Sequence, residues 1–199
     1  TILPGVTDPF DDYGAFNLNQ GVFTTMSYNR GYSTGGNSTS GYSSGPMALD
    51  LAVLQTLYGA NTSHNQGANT YILPATDGAG TFWQAIWDTG GLDEIRHNGA
   101  NGATINLHAA TLAGEAGGGG FVSSAAHIAG GFTIANGVVI ENARGGSGND
   151  TLTGNDVDNR LIGNAGNDYI TAGAGDDWAE GDAGNDQLIG SDGNDSLVG

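Results

Sequence analysis

"GGSGNDTLTGNDVDNRLIGNAGNDYITAGAGDD" runs from Gly145 to Asp177. Glycine and aspartate dominate it and the apolar residues stand far apart, so no ordinary globular core can be built from it. Cut into nines from Gly145, the tail reads GGSGNDTLT, GNDVDNRLI, GNAGNDYIT, AGAGDDWAE, GDAGNDQLI and GSDGNDSLV, and Gly199 opens a further unit. The sixth position holds Asp150, Asn159, Asp168, Asp177, Asp186 and Asp195; the eighth holds Leu152, Leu161, Ile170, Ala179, Leu188 and Leu197. Self-similarity at a fixed period is the signature of a stacked architecture. A disordered Gly/Asp-rich linker has no reason to keep an apolar residue in constant phase.

Each part of the unit has a physical reason. Glycine at a turn allows positive φ and leaves carbonyls free to face an ion. Aspartate supplies the hard, charged oxygen that calcium prefers over nitrogen or sulfur. The three residues around position eight suit a short strand with its middle side chain turned inward. Such turns stack into a solenoid whose neighbours lie ~4.8 Å apart.

The bulk composition agrees. The 199 residues include 37 glycines, 21 acidic residues against 4 basic ones, no lysine, and a formal charge of −17. Eleven of the acids lie in residues 145–199 beside one arginine. That surface repels nucleic acid and anionic membrane and suits a cation. Cysteine is absent, so disulfides contribute nothing to a thin core. No apolar run approaches a membrane span, and "TILPGVTDPF" at the start has neither a basic n-region nor an apolar h-region.

The nonapeptide resembles G-G-x-G-x-D-x-U-x, the calcium-binding repeat of RTX proteins. The resemblance implies a mainly β fold, a parallel β-roll with two nonapeptides per coil. Calcium would sit between successive turns, held by carbonyls at positions two and four and the carboxylate at six. One edge would use Gly146, Gly148 and Asp150, then Asn164, Gly166 and Asp168, then Asp182, Gly184 and Asp186. The other would use Asn155, Val157 and Asn159, then Gly173, Gly175 and Asp177, then Ser191, Gly193 and Asp195. The unit 154–162 departs from the pattern: Asn159 replaces the aspartate and Val157 a turn glycine, so a weaker site is expected, or one completed by Asp158. Several calcium ions are implied, and with them folding of the tail on calcium.

Upstream, "GYSSGPMALDLAVLQTLYGAN" (Gly41–Asn61) reads as a helix. Ser43 or Ser44 can cap it, Pro46 suits its first turn, Leu51, Leu54, Leu57 and Tyr58 recur at helical spacing, and Gly59 stops it. With "TMSY" before it, "LYGAN" at its end, "WDTGGLDEI" (Trp87–Ile95) and "GVVIENARGGSGND" (Gly137–Asp150), the chain resembles the C-terminal part of a serralysin, a secreted bacterial zinc metalloprotease of the metzincin group. That resemblance implies three parts: residues 1–60 from the end of a catalytic domain, 61–144 as a strand-rich start of the roll, and 145–199 as the repeats. It makes Met26 the methionine of the Met-turn and Tyr28 the tyrosine that can join the zinc sphere. Asp88, Gly90, Gly91, Asp93, Val139 and Glu141 would form a calcium site before the repeats, with Asn65, Gly67 and Asn69 completing it.

The zinc-binding run H-E-x-x-H-x-x-G-x-x-H is not in the sequence, and His64, His97, His108 and His127 form no i, i+4 pair. Zinc is therefore expected only in the complete parent enzyme, and proteolysis is not expected of this chain alone. The expected role is a roll that folds on calcium and supports stability and export, in a piece of a larger protein secreted by a bacterial type I route. The expected partner is the missing N-terminal part of the protease, whose substrates would be proteins; nucleic acid and membrane insertion are not expected. Two other readings stand beside it: half of a nicked active protease with a separate zinc-bearing chain, and a non-enzymatic RTX interaction module. In residues 62–144, "TYILP", "TFWQAIWD", "ATINLHAATL" and "GFTIANGVVIENA" read as short strands, with Phe82, Trp83, Trp87 and Phe121 supplying the hydrophobic core. "GEAGGGG" (Gly114–Gly120) reads as a flexible loop.

Overall fold

The structure, a computed structural model, describes residues 42–78 and 81–199. It is mainly β, and its strands form two sheets that face each other. One sheet holds six strands, β2 (Thr70–Ile72), β4 (Glu94–Arg96), β8 (Asn142–Arg144), β10 (Arg160–Ile162), β12 (Trp178–Glu180) and β14 (Ser196–Val198), side by side in that order. Every pairing in it is parallel. The other runs β1 (Tyr42–Ser43), β3 (Phe82–Ile86), β7 (Gly131–Ile134), β6 (Ser123–Ala125), β5 (Ala103–Asn106), β9 (Thr151–Thr153), β11 (Tyr169–Ala174) and β13 (Gln187–Asp192). Within it only β6 lies antiparallel to its neighbours. The parallel β-roll is the fold that the repeat implied.

The register shows why position eight is apolar. Ile105, Leu152, Ile170 and Leu188 pair in one row, and Tyr71, Ile95, Ala143, Leu161, Ala179 and Leu197 in the other. From Ile105 to Ile170 and from Ile95 to Ala179 these side chains are fully buried. Position seven points outward on the same strands, as the two-residue alternation requires, and Arg160, Tyr169 and Trp178 are exposed there. Each coil buries few side chains, and the column they make is narrow.

The core differs from expectation. It is a mainly aliphatic column of Ile, Leu, Val and Ala that includes Phe132, and of the four expected aromatics Trp87 packs against it from a half-buried position. Trp83 is fully buried, but with Met47 in a small separate cluster against Leu49, Ala85 and Val122. Phe82 precedes it on β3, so it points to the opposite face and is 37% exposed. Trp87 and Phe121 are half-buried: the Trp87 indole reaches Asn61 O at 3.1 Å, and Phe121 packs against the His108 ring.

One local reading is also corrected. Helix α1 is Ala48–Tyr58, and neither Ser43 nor Ser44 caps it. Ser43 lies in β1 and the Ser44 N–H donates to Trp83 O (2.9 Å); the cap residue is Met47, whose N–H donates to the Asp50 carboxylate (2.9 Å). Gly59 does end the helix, at φ +82 with its N–H on Gln55 O. Leu51 packs on the core, whereas Leu54, Leu57 and Tyr58 are exposed. The stretch 114–120 is a hydrogen-bonded turn, with Gly118 N on Glu115 O (3.0 Å), Gly120 N on Gly117 O (2.9 Å) and Gly118–Gly120 buried. The stretch is a loop as expected, and a Cβ on Gly118 would collide with Ala113 O.

Candidate calcium-binding turns

The strands leave the chain free to turn at two edges, and every candidate ligand of the repeats sits on one of them. Along one edge the sixth-position carboxylates clasp the backbone of the preceding coil: Ala103 N donates to Asp150 Oδ1 (2.6 Å), Asp150 N to Asp168 Oδ1 (2.8 Å) and Asp168 N to Asp186 Oδ1 (2.9 Å). Along the other, Asn159 N donates to Asp177 Oδ1 (2.7 Å) and Asp177 N to Asp195 Oδ1 (3.1 Å). One carboxylate oxygen is thus fixed by the fold. The second oxygens of Asp168 and Asp177 are buried with no hydrogen-bond partner, which is costly in a dry site unless another positive group faces them.

Electrostatics point the same way. Burial is the largest cause that raises the carboxyl pKa values of Asp150, Asp168 and Asp177, and the backbone N–H bonds offset it only in part. Asp150 and Asp186 raise Asp168 further, and Asp195, Asp158 and Asp176 raise Asp177. Among the described residues no three His, Asp or Glu side chains converge to hold a metal. A cation on these turns must then draw most of its oxygens from carbonyls, which suits a hard ion with six to eight oxygen ligands rather than zinc. Gly166 and Gly184 show how carbonyls come close enough: both have positive φ (126 and 153), and a Cβ on either would strike the fourth-position carbonyl one coil earlier. The turn residues and their unpaired oxygens fit calcium.

Position five carries a second ladder, which the repeat pattern alone does not reveal. Asn167 N donates to Asn149 Oδ1 and Asn185 N to Asn167 Oδ1, both 2.8 Å; on the other edge Asp176 N donates to Asp158 Oδ1 (2.8 Å) and Asn194 N to Asp176 Oδ1 (2.9 Å). Asp158 is exposed and spends its oxygen in this ladder.

The pre-repeat residues also come together. Asp88 accepts from Tyr71 Oη (2.5 Å) and Asn69 Nδ2 (3.3 Å) on one oxygen and from Gly90 N (3.0 Å) on the other. Asp93 accepts from Asn69 N (2.8 Å), and its second oxygen is buried without a partner; its own N–H donates to Glu141 Oε2 (2.8 Å). Asn69 Nδ2 donates to Gly67 O, Asn65 Nδ2 reaches Tyr71 Oη, and Gly91 packs against Gly67 O. Val139 stands exposed at the neighbouring turn. Burial first, then the charges of Asp88 and Glu141, raises the Asp93 carboxyl. Burial and the Asp88 hydrogen bond raise the Tyr71 phenol well above its ordinary range, so it stays a donor. No sequence motif singles out Tyr71.

The geometry explains this cluster as more of the same repeat. Counting back from β8, β4 and β2 in the pairing register gives NGVVIENAR (136–144), DTGGLDEIR (88–96) and HNQGANTYI (64–72), and from β5 NGANGATIN (98–106). Glu141, Asp93 and Asn69 stand at position six, and Ala103 takes it on the other edge. Met26 and Tyr28 lie outside the described residues. His64 and His127 are exposed, His108 is half-buried with Nδ1 3.0 Å from Asn106 Oδ1, and His97 is buried.

Comparison with known proteins agrees with the turns. Residues 144–179 and 171–199 match the RTX calcium-binding nonapeptide repeat (4 copies). The chain is 37% identical over 153 residues to metallopeptidase AprA of Pseudomonas marginalis, covering 69% of this chain and 30% of that protein. It is 38% identical over 140 residues to serralysin B of Dickeya chrysanthemi (65% and 27%), and 37% identical over 158 residues to a serralysin C of the same organism (74% and 31%). The chain therefore spans about three tenths of the length of these relatives.

Proposed function

We propose, from a chain that is serralysin-like and carries RTX calcium-binding repeats, that residues 145–199 are a module that folds on calcium and serves a secreted zinc metalloendopeptidase. The observation that carries this is the pair of buried, unpartnered oxygens on Asp168 and Asp177, one on each edge of the roll, in turns whose carboxylates each clasp the coil before. Bound calcium supplies the counter-charge these turns lack. The chain's own residues do the rest: the sixth-position carboxylate ties each coil to the one before it, and the turn glycines let successive carbonyls approach one site. Binding free energy is then folding free energy.

On this reading the roll supports the stability and export of an extracellular protease, and Met26 and Tyr28 act only beside the zinc of the complete parent, whose substrates are proteins. No described helix is long and apolar enough to cross a membrane. The exposed apolar side of α1, with Val53, Leu57 and Tyr58, favours one second reading, association with a separate zinc-bearing chain.

Elemental analysis of the purified chain, with intact mass and a casein-cleavage assay on the same sample, tests both. Several calcium ions, no zinc, one mass near 20.0 kDa and no cleavage are expected. Stoichiometric zinc with a second peptide and cleavage would establish the nicked enzyme instead; a chain without calcium would overturn the module.

A further inference from the structure

One turn in the calcium-binding edge differs from its neighbours. Asn155 and Asn159 occupy positions two and six of the unit 154–162, and both are buried, at 9% and 4% exposure. Asn159 Oδ1 accepts the Asn155 N–H (2.7 Å), and its Nδ2 donates to Glu141 O (3.0 Å) and to Asn155 Oδ1 (3.0 Å). Asn155 Nδ2 donates to Leu107 O (3.2 Å) and Ile140 O (2.9 Å), and its Oδ1 also takes the Val157 N–H (3.2 Å). All four N–H bonds of the two primary amides are used, and both side-chain oxygens accept.

The neighbouring turns have the opposite character. Asp177, one coil on, leaves a carboxylate oxygen buried and unpartnered. Gly173, Gly175, Ser191 and Gly193 adopt positive φ at positions two and four of this edge, and neither Asn155 nor Val157 does. The carbonyls of Ile140 and Glu141, which face this turn from the coil before, are already bound by amide N–H groups. Glu141's own carboxylate is turned away, onto Asp93 N. A divalent cation here would meet bound carbonyls, N–H hydrogens and no free carboxylate, whereas calcium needs six to eight oxygens.

We propose that the rung between coils 136–144 and 154–162 takes no calcium and is closed by the Asn155–Asn159 amide pair. It rests on the reading that the repeats after it do take calcium. The pair therefore marks a boundary: removing calcium opens the repeats back to this rung and leaves it closed.

Amide hydrogen exchange on the full chain, in excess calcium and in chelator, tests the boundary. In chelator the N–H groups of Asp168 and Asp177 are expected to lose protection by ~100-fold or more, and those of Asn155 and Val157 by less than ~10-fold. Equal loss at all four overturns the proposal. If none of the four loses protection, the calcium reading of the repeats fails while the rung's independence of calcium stands. A calcium count by native mass spectrometry adds a second arm. The triple variant Asn155→Gly/Val157→Gly/Asn159→Asp restores the repeat residues and is expected to bind one calcium more than the native chain; an equal count would overturn the proposal that these residues are what keeps calcium from the native rung.

Discussion

Residues 64–144 and residues 145–199 obey the same nine-residue frame but hold it by different means. In the upstream coils the frame is interrupted by long excursions, and these bring packing: Trp83 forms a buried cluster with Met47 of the preceding segment, and Ile86, Phe132 and Ile134 widen the core column. On one edge position six there is Asn69, Asp93 or Glu141, tied into a dense hydrogen-bond set with Tyr71 and Asp88, and on the other it is Ala103. The repeats carry no excursions and little beyond the column of position eight. They concentrate carboxylates in the turns and leave two buried carboxylate oxygens unmatched, on Asp168 and Asp177, against one upstream, on Asp93. A solenoid coil can thus be closed by side-chain packing or by a cation, and the composition of its turns shows which.

Calcium removal should break the comparison most visibly. Trp178 lies on β12 within the repeats and Trp83 lies on β3 upstream. A variant with Trp83→Phe and Trp87→Phe leaves only Trp178 among the described residues as an emitter. Its fluorescence is expected to change fully on chelation, with loss of most of the β signal of the tail, while a Trp87→Phe/Trp178→Phe chain reporting from Trp83 keeps most of its intensity and wavelength. A parallel response from both reporters would mean that the two regions fold as one calcium-dependent unit.

Substituting the column should separate them next. Ile105 is fully buried in β5, and Ile105→Ala is expected to cost about 2–5 kcal/mol in denaturant unfolding, with or without calcium. Ile170→Ala removes an equally buried side chain from the repeats. There the loss should appear as a higher calcium concentration at the folding midpoint, because folding and binding are one event. An unchanged calcium midpoint for Ile170→Ala would break that linkage.

Much of this was legible from residues. Asp and Leu at fixed phase from Gly145 onward specify the roll, because a side-chain period locked to the strand register leaves one arrangement for the apolar residues. The upstream coils are harder to read. Their sixth positions vary, and the insertions 73–87 and 107–135 break the count of nine, so the frame returns only when strands pair in space. The aromatic core failed for a different reason: Phe82 and Trp83 are adjacent on a strand, and alternation can bury only one of them on a given side. The expected helix cap is displaced because Ser44 finds a better partner in Trp83 O, an interaction set by strand pairing 39 residues away. The departure of the unit 154–162 is visible in its own residues, but its amide network depends on Leu107 and Ile140, which no local pattern joins to it.

A single charge should act more gently. Asp177→Asn keeps the shape and the Oδ1 acceptor for Asn159 N. In calcium it should raise the midpoint concentration about tenfold, equivalent to ~1.4 kcal/mol. In chelator it should make the chain slightly more stable, because the buried charge is gone. The variant at Asp158, exposed and in the outer ladder, is expected to do neither by a comparable amount, and equal effects would mean that the two ladders share one role.

The smallest effect, and the sharpest contrast, concerns pH in chelator. Asp168 and Asp177 have pKa values raised by burial and by neighbouring carboxylates. A carboxyl whose folded pKa exceeds its unfolded value takes up protons on folding, so it destabilises the metal-free fold at neutral pH and that penalty fades as pH falls through the raised values toward 3.8. His97 behaves in the opposite sense. Burial lowers its pKa, both ring nitrogens are buried without partners, and acidification through the ordinary imidazole value of 6.5 removes stability from the coil that contains it. Without calcium, lowering pH from 7 should therefore first loosen the upstream region as His97 is forced toward its charged form, and then, as pH falls further toward the ordinary carboxyl range, favour order in the repeats. With calcium bound the repeats should respond in reverse, because the ion holds the carboxylates charged and protonation expels it. Following Trp83 and Trp178 separately across this range, with and without chelator, checks all three directions. Should Trp178 report the same slope in both solutions, the buried carboxylates of the repeats are not where the calcium acts.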